Sequence, residues 1–133
     1  MVKILIVDDE ISICETLAWS LIKEGYEVEY QTDSEKIEDA IESSNYDIYI
    51  IDIFLPGRSG FEIIKLIKEF NKNGVILIIS GYPNVSNLID SVRLEVYDYI
   101  KKPFTLKYLK EVINHILLLR DQKIGNEFKK VLC

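Results

Sequence analysis

Two hydrophobic patterns alternate along the chain. Residues 2–7 (VKILIV), 48–53 (IYIIDI) and 75–79 (VILII) are short, almost continuously apolar runs. Such runs fit strands buried on both faces, as in the middle of a parallel sheet. Residues 26–30 alternate apolar with acidic side chains, the mark of a half-exposed edge strand, and 97–100 form a fifth, short strand. Between the strands, apolar residues recur at helical spacing. Cys14, Leu17, Ala18 and Leu21 predict a helix over 12–24, capped by Ser12 with Glu15 and closed by Gly25. Asp33 or Ser34 caps a second helix that buries Ile37, Ala40 and Ile41. Ser59 with Glu62 opens a third, over 60–71, that buries Ile63, Leu66, Ile67 and Phe70. Asn84 caps a fourth, over 84–94, with Val85, Leu88, Ile89 and Val92 inward. Thr105 caps the last, over 105–120, with Leu106, Leu109, Ile113, Ile116 and Leu117 inward.

Strand and helix therefore alternate with connections of a few residues, which implies a parallel sheet covered by helices on both faces. The runs at 48–53 and 75–79 belong in the interior, and the patterned strand at 26–30 belongs at an edge. A doubly wound, flavodoxin-like (βα)5 fold with strand order 2-1-3-4-5 satisfies both conditions. It places a topological switch point between strands 1 and 3, where ligands bind in open α/β sheets. Residues 1–120 make up this domain. Residues 121–133, with Ile124, Phe128, Val131 and Leu132 at roughly helical spacing, read as a C-terminal tail or the start of a linker helix.

Composition narrows the picture only slightly. With 133 residues the chain has room for one domain with a proper core. Its net charge of −6 makes it a poor nucleic-acid binder, and the acidity serves as a solubilising surface. Cys14 and Cys133 have no metal-binding or redox spacing, which fits a reducing cytoplasm. The N-terminal apolar run is too short for a signal peptide or a membrane span.

The chemistry lies in what each strand delivers at its C-terminal end. Strand 1 gives Asp8 and Asp9, strand 3 gives Asp52, strand 4 gives Ser80, and strand 5 gives Lys102 before Pro103. A charge is costly inside a buried strand, so Asp52 belongs where a loop opens, here at Pro56-Gly57. Three carboxylates at a switch point repel one another unless a cation neutralises them, and hard oxygen ligands fit Mg2+. Carboxylate, Mg2+, lysine and hydroxyl together describe phosphoryl transfer, and a carboxylate can itself be the acceptor.

Asp8-Asp9, Asp52 with Leu55-Pro56-Gly57 and Gly60, Ser80-Gly81 and Lys102-Pro103-Phe104 resemble the receiver domain of two-component response regulators, from about residue 2 to residue 120. The resemblance implies that Asp52 accepts a phosphoryl group from the phosphohistidine of a sensor histidine kinase or phosphotransfer protein. It implies Mg2+ held by Asp8, by Asp9 (through water), by Asp52 and by the backbone carbonyl of Phe54. Lys102 and Ser80 would then hold the phosphoryl oxygens, and Tyr99 would be the aromatic switch residue. Such a domain is not a metabolic enzyme, although it catalyses its own phosphorylation and dephosphorylation. Its signal would pass through helix 84–94, strand 97–100 and helix 105–120 to a homodimer or an output partner, with no contact to nucleic acid or membrane. Ser-Gly-Tyr at 80–82 and Tyr-Asp-Tyr-Ile at 97–100 resemble receivers of the enhancer-binding transcription regulators.

The chain departs from the family's habit in two places. Glu95-Val96 stands where small residues usually precede the fifth strand, and Ser80 replaces the commoner threonine. Bulky Phe54 and Tyr82, each two residues beyond a site residue, predict a shielded, long-lived acyl phosphate. Rival readings fare worse. A phosphatase acting through an aspartyl phosphate wants a second carboxylate where Phe54 stands. A flavodoxin-like cofactor binder wants a Ser-, Thr- or Gly-rich loop where Asp8-Asp9-Glu10 stands. A degenerate receiver acting only as an interaction module would lack acceptor residues that are present here. His115, Trp19 and Cys14 read as helix surface or packing, with no role in a site.

Overall fold

The computed structural model describes residues 1–81 and 96–132, with the side chains of the last helix described as far as Asp121. The helix expected at 84–94 lies outside the described residues, as does Tyr82. The chain forms two compact units, Met1–Pro103 and a second from Phe104 onward.

In the first unit, β1 (Lys3–Val7), β2 (Glu27–Gln31), β3 (Ile48–Asp52), β6 (Val75–Ser80) and β7 (Asp98–Lys101) form a five-stranded sheet in the order β2-β1-β3-β6-β7. Every pairing in it is parallel. Chain reversal between strands 1 and 3 puts the switch point where the sequence places it. A two-stranded antiparallel hairpin, β4 (Phe54–Leu55) with β5 (Arg58–Ser59), is added directly after β3. All five residues of β3 are buried, Asp52 included, whereas β2 is largely exposed, as an edge strand should be.

Side-chain alternation divides the sheet's apolar residues between its two faces. Leu5, Val7, Tyr49, Ile51, Ile76 and Ile78 form one cluster with Ile37 and Ile41 of α2 (Ile37–Ser43) and with Ile63, Ile64 and Ile67 of α3 (Gly60–Phe70). Ile4, Ile6, Ile48, Ile50, Leu77 and Ile79 are buried on the opposite face. In α1 (Ile11–Lys23) the expected stripe of Cys14, Leu17, Ala18 and Leu21 is buried, and Gly25 takes the left-handed backbone (φ 96°) that ends the helix.

Three local expectations are corrected. Ser12 does not cap α1: the cap is Glu10, whose side chain makes no capping bond, because Asp8 Oδ1 already accepts the Glu10 amide at 3.0 Å and starts the turn earlier. Neither Asp33 nor Ser34 caps α2. Asp33 spends its carboxylate on the Glu35 amide at 2.9 Å in a preceding turn, and Lys36 takes the cap position. Phe70 is 48% exposed, while Ile64, not anticipated, is buried. The room beyond Ile67 is taken by Asn71, whose amide donates to Tyr46 O at 2.8 Å and to Tyr49 Oη at 3.1 Å. The Ser59 cap on α3 does form, with its hydroxyl accepting from Phe61 N.

The second unit is the helix α4 (Leu106–Leu132). Thr105 Oγ1 accepts the Tyr108 amide at 3.1 Å, as a cap should. Leu109, Ile113 and Ile116 are buried, Leu106 and Leu117 half-buried, and His115 exposed. The helical backbone continues through the stretch read as tail or linker. Among the described residues, no helix is long and apolar enough to cross a membrane.

Candidate functional site

Parallel register assembles the site. Val7 pairs with Ile51, so the next residue of each strand, Asp8 and Asp52, emerges side by side at the sheet's C-terminal edge. Ser80 ends β6 one residue beyond Ile79, the partner of Asp52, and Lys102 follows β7, donating its amide to Ser80 O at 2.8 Å. Asp8 and Ser80 are buried, and Asp52 is 7% exposed.

The Lys102 ammonium joins these strands. Its Nζ lies 2.8 Å from Asp8 Oδ2, 3.1 Å from Asp52 Oδ2 and 3.6 Å from Glu10 Oε1. Burial by itself would lower the lysine's pKa, but hydrogen bonds to Asp8 and Asp52 and their charges more than reverse this and hold it above its ordinary value. Asp52 is pushed up, chiefly by burial. The Phe54 amide and Lys102 pull the other way, and the neighbouring Asp8 adds to the rise. The shifts at Asp52 and Lys102 do not mirror each other, because one ammonium serves two buried carboxylates and a third at the rim. Negative charge remains in excess.

Each oxygen of Asp52 has a distinct environment. Oδ1 accepts the Phe54 amide at 3.0 Å, and Oδ2 faces Lys102. The hairpin supplies that amide. Gly57 turns it with φ 73°, and Gly60 N closes its base on Ile53 O at 3.1 Å. At Gly60 a β-carbon would stand 2.5 Å from Ile53 Cα, so the close approach requires glycine. Phe54 itself is 44% exposed beside the site.

The donor set suits a hard divalent cation. Asp8, Asp9 and Glu10 each offer a carboxylate oxygen, all within 4.8 Å of one another, and Asp52 reaches the same corner through Lys102. Glu10 was not among the expected site residues, although its adjacency to Asp8-Asp9 at a strand end was the available signal. Tyr99 is half-buried and packs against the core cluster, as does Val96. Cys14 is buried behind the site. Its Sγ donates to Asp8 O at 3.5 Å, and burial, with the charge of Asp8, pushes the thiol up to about 12, leaving it inert.

Known proteins resemble this chain in sequence and in fold. The family model described as the response regulator receiver domain matches residues 4–114. The regulatory protein VanRB of Enterococcus faecalis is 30% identical over 128 residues, covering 96% of this chain and 57% of that protein. The chain thus spans little more than half the length of this curated relative. A CheY-like response regulator receiver domain protein from Methanospirillum hungatei superposes with a TM-score of 0.84 at 28% identity, over 92% of this chain and 98% of that one. The response regulator TrrA from Thermotoga maritima, solved in complex with Mg2+ and BeF, gives 0.76 at 34% identity, over 87% of this chain and 99% of that one. With its fold, its strand order and 111 consecutive positions matched, the chain belongs to the response regulator receiver domains of two-component systems, which are signalling modules and not metabolic enzymes.

Proposed function

We propose that this receiver accepts a phosphoryl group on Asp52 from the phosphohistidine of a sensor histidine kinase or phosphotransfer protein. The observation that carries this reading is the Lys102 ammonium held between Asp8 and Asp52 at 2.8 and 3.1 Å. In the transfer, Asp52 Oδ2 attacks phosphorus and the N–P bond to the donor histidine breaks. The leaving imidazole keeps the electron pair, and an acyl phosphate forms. The Phe54 amide holds Oδ1 and so fixes which oxygen attacks. Lys102 then pairs with the phosphoryl oxygens, and the Ser80 hydroxyl donates to them.

Asp8, Asp9, Asp52 and the Phe54 carbonyl would hold Mg2+, with Glu10 at the rim. Bound there, Mg2+ supplies charge neutralisation between carboxylate and phosphate. The related TrrA, solved in complex with Mg2+ and BeF, supports Mg2+ as the cation. The added charge of roughly −1.5 to −2 draws Ser80 and Lys102 toward it and shifts an existing equilibrium. Tyr99 and the surface of 84–94, 97–100 and the last helix would carry that shift to a homodimer or to an output partner, such as one that controls transcription. The setting is the cytoplasm, with no contact to nucleic acid by this domain.

Intact mass after acetyl phosphate and Mg2+, for the parent and Asp52→Asn, tests the reading, together with size-exclusion elution. One phosphoryl mass on the parent alone supports the acceptor, and an earlier elution makes dimerisation the output. An unmodified parent overturns the switch and leaves a receiver-shaped docking module.

A further inference from the structure

The hairpin after the acceptor strand is tied down on both of its strands. Phe54, on the outgoing strand, gives its amide to Asp52 Oδ1, and Leu55 packs against the core cluster. Arg58, on the return strand, is paired with Leu55 and reaches α2, where its Nη2 donates to Glu38 Oε1. The Arg58 side chain is 20% exposed, and its Nε is enclosed with no hydrogen-bond partner among the described residues. Compensation of its charge therefore falls to Glu38, and a largely enclosed guanidinium deprived of its carboxylate gains by swinging into water. Glu38 is anchored in turn, because Ile37 and Ile41 of the same short helix lie in the cluster that contains Ile53.

From this geometry we infer that Arg58 is a positioning residue for phosphoryl acceptance. Its ion pair with Glu38 straps the hairpin to α2 and so holds the Phe54 amide on Asp52 Oδ1. The inference rests on the reading of Asp52 as the acceptor. A carboxylate with one oxygen pinned presents the other to the donor, whereas a loosened hairpin lets the carboxylate turn and lowers the fraction of competent encounters. The strap acts on orientation and leaves donor binding unchanged.

The test is phosphorylation of the full chain by acetyl phosphate, over a donor concentration series with Mg2+, for Arg58→Ala, Glu38→Ala and the reversed pair Glu38→Arg with Arg58→Glu. Each single variant is expected to lose about fivefold in maximal rate, the scale of one well-made ion pair, at an unchanged half-saturating donor concentration. The reversed pair is expected to recover most of the rate, with melting temperatures close to the parent's throughout. Single variants that match the parent's rate overturn the role of Arg58, as does a reversed pair that folds but stays slow. No uptake by the parent overturns the acceptor reading, and this inference with it.

Discussion

Asp8 and Asp52 stand on adjacent parallel strands and share one cation, with Lys102 Nζ 2.8 Å from the first and 3.1 Å from the second. Neither carboxylate has another basic side chain within ion-pair distance among the described residues. Much of the site's behaviour follows from this shortage of positive charge.

Lys102→Ala leaves two buried carboxylates facing each other. Removing one partner of an enclosed ion network costs about 3 kcal/mol, because the remaining charges are uncompensated. Lys102 has a raised pKa in the folded state. Its contribution is therefore complete below the ordinary lysine value of 10.5 and is lost only as pH rises through the higher folded value. The loss should thus be constant across neutral pH. Urea unfolding without divalent cation should show it, and added Mg2+ should restore more stability to the variant than to the parent.

Asp52→Asn has the opposite sign. The folded-state pKa of Asp52 is raised above 3.8, so the folded chain holds this proton more tightly than the unfolded chain does. Stability attributable to the group falls as pH climbs from the ordinary value through the folded one, and the cost is complete above that. The variant should melt above the parent at neutral pH without Mg2+, and the gap should close in acid. A variant that melts lower at neutral pH would show that attraction to Lys102 outweighs burial.

Gly60→Ala places a β-carbon 2.5 Å from Ile53 Cα and 2.6 Å from its carbonyl oxygen, both backbone atoms with little freedom to yield. The expected loss is about 3 kcal/mol, read by denaturant unfolding. Beryllium fluoride should also bind more weakly, because the hairpin that carries the Phe54 amide must shift.

Phe54→Ala removes an exposed ring beside the acceptor while keeping the amide that contacts Asp52. If the ring screens the acyl phosphate from water, the half-life of phosphorylated protein should shorten about tenfold, or ~1.4 kcal/mol of barrier. Phosphoryl loss followed by intact mass decides this. An unchanged half-life would assign the shielding elsewhere.

The order of the five main strands was legible because it depends on period and composition. Ile48–Ile51 and Val75–Ile79 carry no polar face, and the acidic alternation of residues 26–30 fits only an edge. Asp8, Asp52, Ser80 and Lys102 were legible for a related reason, since a polar residue that closes an apolar strand has one place to go. Caps read from residue type alone were less secure. Ser12 and Asp33 are both good cap formers, but Asp8 and Asp33 committed their carboxylates to local turns, and the helices began where those turns ended.

By itself, the sequence determined the parallel sheet, its order and the edge at which its polar residues gather, because burial of apolar runs is a property of pattern. Tertiary structure alone decided two further charge pairings. Glu10 joined Lys102 across 92 positions of chain, and Arg58 on the hairpin found Glu38 on α2. Such pairings depend on side-chain reach and on the absence of a nearer partner, and no local periodicity encodes either.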